Sequence, residues 1–191
     1  MTHTCRHCRS PLEHTVIDLG HQPPSNAYLT ANQLLEPEVT YPLQVYVCTN
    51  CWLVQLPAHA AAEELFTEDY AYFSSTSSSW CAHAERFVDA AVERLGLGVD
   101  SHVVELASND GYLLKNFVGA NIPCLGIEPT ASTANIAEES GVPVVREFFG
   151  YDLAEKLSSK GSKADLIIGN NVYAHVPDIN DFTLGLKTIL K

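Results

Sequence analysis

Two Cys-x-x-Cys pairs limit what the first third of this 191-residue chain can fold into. They are Cys5-Arg6-His7-Cys8 and Cys48-Thr49-Asn50-Cys51. Two intervening residues form a tight knuckle that aims both sulfurs at one point, and two knuckles complete a tetrahedral shell. Four thiolates leave no coordination position for water, so Cys5, Cys8, Cys48 and Cys51 predict a structural zinc ion rather than a catalytic one. A disulfide framework, a redox Cys-x-x-Cys, and His7 in place of one cysteine are the alternatives. The opening Met-Thr-His-Thr-Cys lacks the basic and apolar regions of a secretion signal, which favours metal over disulfides. Neither pair lies in the βαβ pattern of a redox motif. The ion would hold together a module without a sufficient core of its own. The other two cysteines, Cys81 and Cys124, have apolar neighbours and read as buried packing residues.

The 39 residues between the pairs exceed a usual zinc-ribbon gap, so an insertion sits there. Leu43, Val45 and Val47 alternate before the second knuckle and Trp52, Val54 and Leu56 after it, a period of two on both sides of a turn. Val16, Ile17 and Leu19 form another short apolar segment, with a break expected from Gly20 to Pro24. Ala58 to Ala62 reads as helical. A serine-rich stretch follows, edged by Tyr70, Tyr72, Phe73 and Trp80. It is either a connector whose aromatics pack on the next domain or a lid whose hydroxyls face a ligand. Trp80, Ala84, Phe87, Val88, Ala91, Val92 and Leu95 then make one apolar helical stripe, ended by Gly96 and Gly98.

From His102 the pattern alternates. Apolar runs at 102–106, 123–127, 142–145 and 165–168 are separated by helical stretches beginning near Tyr112, Ser132 and Asp152. That order implies an α/β fold, a parallel sheet with helices on both sides. Ligands of such sheets bind beyond the carboxyl ends of the strands. The first run ends in Glu105-Leu106-Ala107-Ser108-Asn109-Asp110-Gly111, with Ala107 and Gly111 small where a backbone must approach a ligand. The second ends in Gly126-Ile127-Glu128-Pro129, and Glu128 lies 17 residues after Gly111, where a carboxylate can accept both hydroxyls of a ribose. Ala107 and Asn109 interrupt the glycine fingerprint that a pyrophosphate needs, so a nicotinamide dinucleotide is the weaker choice. S-adenosylmethionine, which has no phosphate, tolerates the departure, and Asp110 or Glu105 can pair with its ammonium. Past the third run, Phe148 or Phe149 can stack on an adenine, the other serving the core. Past the fourth, Asn170 and Asn171 offer amides, and His175 is placed for acid–base work.

The formal charge of −12 argues against nucleic acid and against an anionic membrane surface. No apolar run approaches the ~20 residues that span a bilayer. With 46 % hydrophobic residues, a packed cytoplasmic protein is expected.

Five segments together resemble the zinc-containing, S-adenosylmethionine-dependent C-methyltransferases of nucleotide-linked deoxysugars. They are Leu19-Gly20-His21-Gln22-Pro23, Asp69-Tyr70-Ala71-Tyr72-Phe73-Ser74-Ser75, Ser108-Asn109-Asp110-Gly111-Tyr112-Leu113-Leu114, Gly126-Ile127-Glu128-Pro129 and Asn170-Asn171-Val172-Tyr173-Ala174-His175-Val176-Pro177-Asp178. The resemblance implies a zinc module over 1–66, a serine and aromatic linker with an amphipathic helix over 67–99, and part of a Rossmann-like methyltransferase domain over 100–191. It also implies methylation at C3 of a 4-keto-deoxysugar carried on a nucleotide. Glu105, Ala107, Asn109, Asp110, Gly111, Glu128, Pro129, Phe148, Phe149 and Asn170 would serve the cofactor. Tyr70, Tyr72 and His175 would face the sugar, with Tyr70 and His175 in catalytic roles. The family's C-terminal domain has no counterpart up to Lys191, so a truncated chain is expected, with an exposed sheet edge. A non-catalytic fragment that binds S-adenosylmethionine or a nucleotide sugar is the alternative.

Overall fold

The computed structural model describes residues 3–61 and 72–191. The chain divides into two compact units, Met1–Ala71 with Pro177–Asn180, and Tyr72–Val176 with Asp181–Lys191.

In the first unit, β1 (His14–Gln22) pairs antiparallel with β2 (Tyr41–Val47), and β2 with β3 (Val54–Gln55). The β1–β2 ribbon and its connecting loop fill the gap between the knuckles. The strand ends at Gln22, within the break expected from Gly20 to Pro24, and Gly20 itself forms a bulge. The strand runs on to His21, paired with Pro42, and Gln22, paired with Tyr41, while the register shifts between Asp18 and His21. Gly20 takes a φ of 74° there, which only glycine adopts without strain. All nine residues of β1 are exposed, Val16, Ile17 and Leu19 included, because a three-stranded ribbon has no layer packed on it among the described residues. The buried apolar residues of this unit, among those described, are Cys5, Leu12 and Cys48, with Cys8, Tyr46, Cys51 and Leu53 against them. Alternation after the second knuckle supports only the two residues of β3. The helix expected from Ala58 is not formed through Ala61, and Ala62 lies outside the described residues.

The second unit bears out the α/β expectation. Helix α1 (Ser78–Leu95) is capped by Ser77, whose side chain accepts from the amide of Trp80, and closes on Gly96 at φ 62°. Its apolar stripe is narrower than the spacing suggested. Ala84 and Val88 are buried, whereas Phe87 and Leu95 are exposed on either side of the contact line. Four parallel strands follow: β4 (Val103–Leu106), β5 (Cys124–Ile127), β6 (Val144–Val145) and β7 (Leu166–Ile168), in the order β6-β5-β4-β7. Helices α2 (Leu114–Gly119), α3 (Ala131–Glu139) and α4 (Tyr151–Ser159) connect them, and α5 (Ile179–Ile189) comes after β7. The third run is short because Pro143 has no amide to enter the ladder, and only its carbonyl does so, accepting from Gly126.

β4 lies between two apolar clusters and is buried on both faces. Val103 points into the cluster of Val88, Leu114, Phe117 and Cys124. Val104 and Leu106 point into that of Ile127, Leu153, Phe182 and Ile189. By the period of two, Glu105 shares the side of Val103, so the strand buries a carboxylate among apolar residues. Chain order reverses at β4, which has β5 on one side and β7 on the other. A sheet of this kind opens its ligand crevice beyond the carboxyl end of such a strand.

Candidate functional site

The four knuckle cysteines converge. Their sulfurs all lie within 4.8 Å of one another. Cys5 and Cys51 are 3.6 Å apart and Cys8 and Cys48 3.5 Å, far beyond a disulfide bond. A zinc tetrahedron with Zn–S of about 2.3 Å has edges of about 3.8 Å, so the donor set fits the ion. The two knuckles repeat one backbone design. The amide of Cys5 donates to Ser10 O and that of Cys48 to Leu53 O, while Arg9 and Trp52 donate back to Cys5 O and Cys48 O. Arg9 and Trp52 have φ of 64° and 65°, a left-handed turn that closes each knuckle without glycine. Four thiolates in so small a space need a cation. The Ser10 hydroxyl and then the Asn50 side chain pull the Cys8 thiol down to about 5. Cys51 is pushed up to about 12: against the Leu53 amide, desolvation and the three other sulfurs prevail. Zinc removes this conflict by taking all four as thiolates. Gln55, which nothing in the sequence marked, is buried beside them. Its Nε2 donates to Cys5 Sγ at 3.2 Å and its Oε1 accepts from the Arg6 amide at 2.8 Å.

The second candidate site lies at the carboxyl end of β4. The loop leaving the strand has Ala107, Asn109 and Gly111 at φ of 52°, 51° and 75°. Every second residue thus has a glycine's backbone, although only one is glycine. Asparagine enters this region at low cost, whereas alanine is strained there by about 1 kcal/mol. Gly111 also passes close to α3, where a Cβ would lie 3.1 Å from Ala137 Cα.

Glu128, at the end of β5, braces this loop. Its Oε2 accepts from the Asn109 amide and its Oε1 from the Thr130 amide, both at 2.9 Å. Asn109 ties the loop to the serine segment: its Oδ1 accepts from Ser74 N at 2.8 Å and its Nδ2 donates to Tyr72 O at 3.0 Å. Asp110 Oδ2 accepts from Ser75 N at 2.9 Å. The segment is therefore clamped by its backbone, with the Tyr72 side chain left exposed.

Glu105 is 1 % exposed and Asp110 2 %. Glu105 Oε2, Asp110 Oδ1 and Ser108 Oγ have no hydrogen-bond partner among the described residues. Burial, then the charges of Asp110 and Glu128, hold Glu105 well above the usual carboxylate range. The same environment pushes Tyr112 up to about 12 and Cys124 up to about 11, burial leading and Glu105 adding to it.

The remaining candidates are placed less centrally. Asn170, after β7, donates to the Tyr112 hydroxyl at 3.1 Å, and the Tyr112 ring lies against Trp80 with centroids 6.1 Å apart. This Trp80–Tyr112–Asn170 chain carried no sequence signal beyond its residue types. Phe149 packs edge-on against Phe182 at 5.2 Å, so it serves the core, and Phe148 is the exposed member of the pair. Pro129 is half-buried between Glu128 and Thr130. His175 ends the exposed 3-10 turn Tyr173–His175, and its ring does not join the carboxylate network. Tyr70 lies outside the described residues. Cys124 is buried as expected, whereas Cys81 is half-buried. No helix among the described residues is long and apolar enough to cross a membrane.

Comparison with known proteins matches both parts. A family model described as "Putative zinc binding domain" covers residues 5–66. The C-methyltransferase NovU of Streptomyces niveus is 31 % identical over 186 residues, 97 % of this chain and 44 % of that protein. The chain thus spans less than half the length of this curated relative. A solved structure from Methanococcus maripaludis, titled a "putative s-adenosyl-l-methionine-dependent methyltransferase", superposes with a TM-score of 0.52 at 13 % identity, covering 70 % of this chain and 64 % of that one. At that identity the likeness speaks for the fold. Almost the whole chain is therefore similar in sequence to a C-methyltransferase, with a zinc-binding module at its start and a Rossmann-like methyltransferase fold behind it.

Proposed function

We propose that this chain is the cofactor-binding part of an S-adenosylmethionine-dependent C-methyltransferase whose substrate is a 4-keto-deoxysugar linked to a nucleotide, methylated at C3. The observation that carries the reading is the end of β4: a loop with glycine geometry, at the reversal of strand order, over buried carboxylate oxygens that lack partners. The zinc module over 1–66 is structural, 67–99 connects, and 100–191 holds the cofactor.

The residues fit S-adenosylmethionine better than a dinucleotide. The carboxyls of Glu105, Asp110 and Glu128 suit a cationic ligand and offer a pyrophosphate no cationic partner. When bound, the cofactor supplies an electrophilic methyl group. Glu105 and Asp110 hold the cationic amino-acid end. The amides around Ala107, Asn109 and Gly111 let the ligand lie against the backbone. Glu128 and Pro129 border the ribose, the carboxylate using lone pairs its two amide bonds leave free. Phe148 covers the adenine, and Asn170, fixed through Tyr112, lines the opposite edge. Tyr72 and His175 serve the sugar, where His175 handles the C3 proton made acidic by the adjacent ketone; Tyr70, given the same role by the resemblance, lies outside the described residues. The relative's name supports carbon as the methylated atom.

The test is to offer the whole protein methyl-labelled S-adenosylmethionine and a thymidine diphosphate-linked 4-keto-deoxysugar. Label should appear on carbon; label on oxygen alone defeats the reading. A second reading, a fragment that binds cofactor without turnover, is favoured by coverage of only 44 % of the relative. Calorimetry together with a product assay on the 191 residues, beside the same assay on the whole protein, separates the two: binding without product from either is the signature of the second reading.

A further inference from the structure

Glu105 raises a problem of charge that the fold itself does not solve. The carboxyl is 1 % exposed, and its Oε2 has no partner. Asp110 contributes a second unpartnered oxygen, Oδ1, also buried. The titratable groups that act with Glu105 are the carboxyls of Asp110 and Glu128, the phenol of Tyr112 and the thiol of Cys124. Each is an acid. Among the described residues, no lysine, arginine or histidine is among the charges acting on Glu105. Glu128 accepts from two backbone amides and Asp110 from one, but Glu105 has no such donor at Oε2. An isolated buried carboxylate is costly enough that the group takes up a proton instead.

We infer that Glu105 holds a proton while the site is empty and releases it when the cationic amino-acid end of the cofactor arrives, so that capture of the cofactor is coupled to release of one proton. The inference rests on the cofactor reading above. The balance is simple. A neutral carboxylic acid meets an alkylammonium, the O–H bond breaks, the proton goes to solvent, and a carboxylate–ammonium pair remains. No oxidant or further reactant takes part. The consequence is an affinity that rises with pH, about tenfold per unit, until Glu105 is ionised in the empty site as well.

Two measurements on the 191-residue chain test it. Infrared or carboxyl-carbon NMR spectra of the ligand-free protein at neutral pH should show a protonated carboxyl that Glu105→Gln removes. Calorimetric titration with S-adenosylmethionine or S-adenosylhomocysteine, in buffers of different ionisation enthalpy, should give about one proton released for the unaltered chain and none for Glu105→Gln. Absence of the protonated carboxyl overturns the inference whatever binds. Saturable binding with no proton released overturns it too, and leaves the cofactor reading standing. A protonated carboxyl with no binding of either ligand overturns the cofactor reading, and the coupling with it. The proton count on the unaltered chain needs no variant to fold.

Discussion

The two units bury very different amounts of apolar surface, and their polar chemistry differs accordingly. The first has Cys5, Leu12 and Cys48 as its buried core and leaves the apolar residues of β1 in water. Its cysteines converge on one point that a cation would hold. The second packs two clusters against both faces of β4 and has stability to spare for burying Glu105, Ser108 and Asp110 without full hydrogen bonding. In one unit the polar site makes the fold; in the other the fold bears the cost of a polar site.

Removing the metal gives the largest expected difference between them. Zinc ligation contributes roughly 10–16 kcal/mol in small peptide sites. A strong chelator, or Cys48→Ser, should therefore unfold the first unit and leave the helices of the second intact. Circular dichroism and amide NMR report the two separately, and identical melts with and without chelator would break the contrast. Core truncation should show the reverse asymmetry. Phe117→Ala removes a fully buried ring from the second unit and should cost about 3–5 kcal/mol. Leu19→Ala, on a side chain 51 % exposed, should fall within about 0.5 kcal/mol by denaturant titration. A loss at Leu19 as large as at Phe117 would mean that the ribbon is covered.

The same contrast explains what was legible beforehand. The metal site was readable because its chemistry resides in residue type and spacing. The parallel sheet was readable because alternating apolar runs and helices have few other solutions. The loop after β4 was not readable as glycine-like, since its left-handed residues include Ala107 and Asn109, and it is tertiary contact from Glu128 and the 72–75 segment that holds Asn109 on both sides. Gln55 was hidden for another reason. It meets Cys5 across 50 positions of sequence, and no local pattern encodes that distance. Within the break expected from Gly20 to Pro24, the exact end at Gln22 was not legible because a bulge and a strand end use glycine alike. Of Phe148 and Phe149, only tertiary contact with Phe182 decides which is core.

A pH series sharpens the comparison at intermediate scale. Glu105 is held above its unfolded value by burial first and by neighbouring acids second. A carboxyl raised in the folded state contributes stability that is fully present below its unfolded pKa and is lost as pH rises through its folded pKa. The second unit should lose stability as pH rises above the ordinary carboxylate range, and Glu105→Gln should abolish that slope. At alkaline pH the variant should be the more stable, by about 1.4 kcal/mol for each unit by which the folded pKa exceeds the unfolded one. Thermal melts of both chains across pH measure it. Parallel curves would mean that Glu105 is solvated or paired, and the buried site would then resemble the exposed ribbon more than a strained core.

The smallest effect expected concerns Ala107. Its φ of 52° gives it a backbone that glycine adopts freely and alanine does not. Ala107→Gly relieves up to about 1 kcal/mol of strain, but the unfolded chain gains entropy worth about 0.4–1 kcal/mol in the opposite direction. The two nearly cancel, so the net change in stability should lie within about 0.5 kcal/mol of zero, with strain relief setting the sign. Ala107→Val makes the sign plain. A β-branched residue is the least tolerant of positive φ, and it should destabilise the second unit by more than 1 kcal/mol, by about 1–3 kcal/mol, with the first unit unaffected. Ala107 is exposed, so a cost of that size cannot come from lost packing. Equal stability of the glycine and valine variants would mean that the loop relaxes out of its left-handed form, and that its glycine geometry is not held by Glu128 and Asn109.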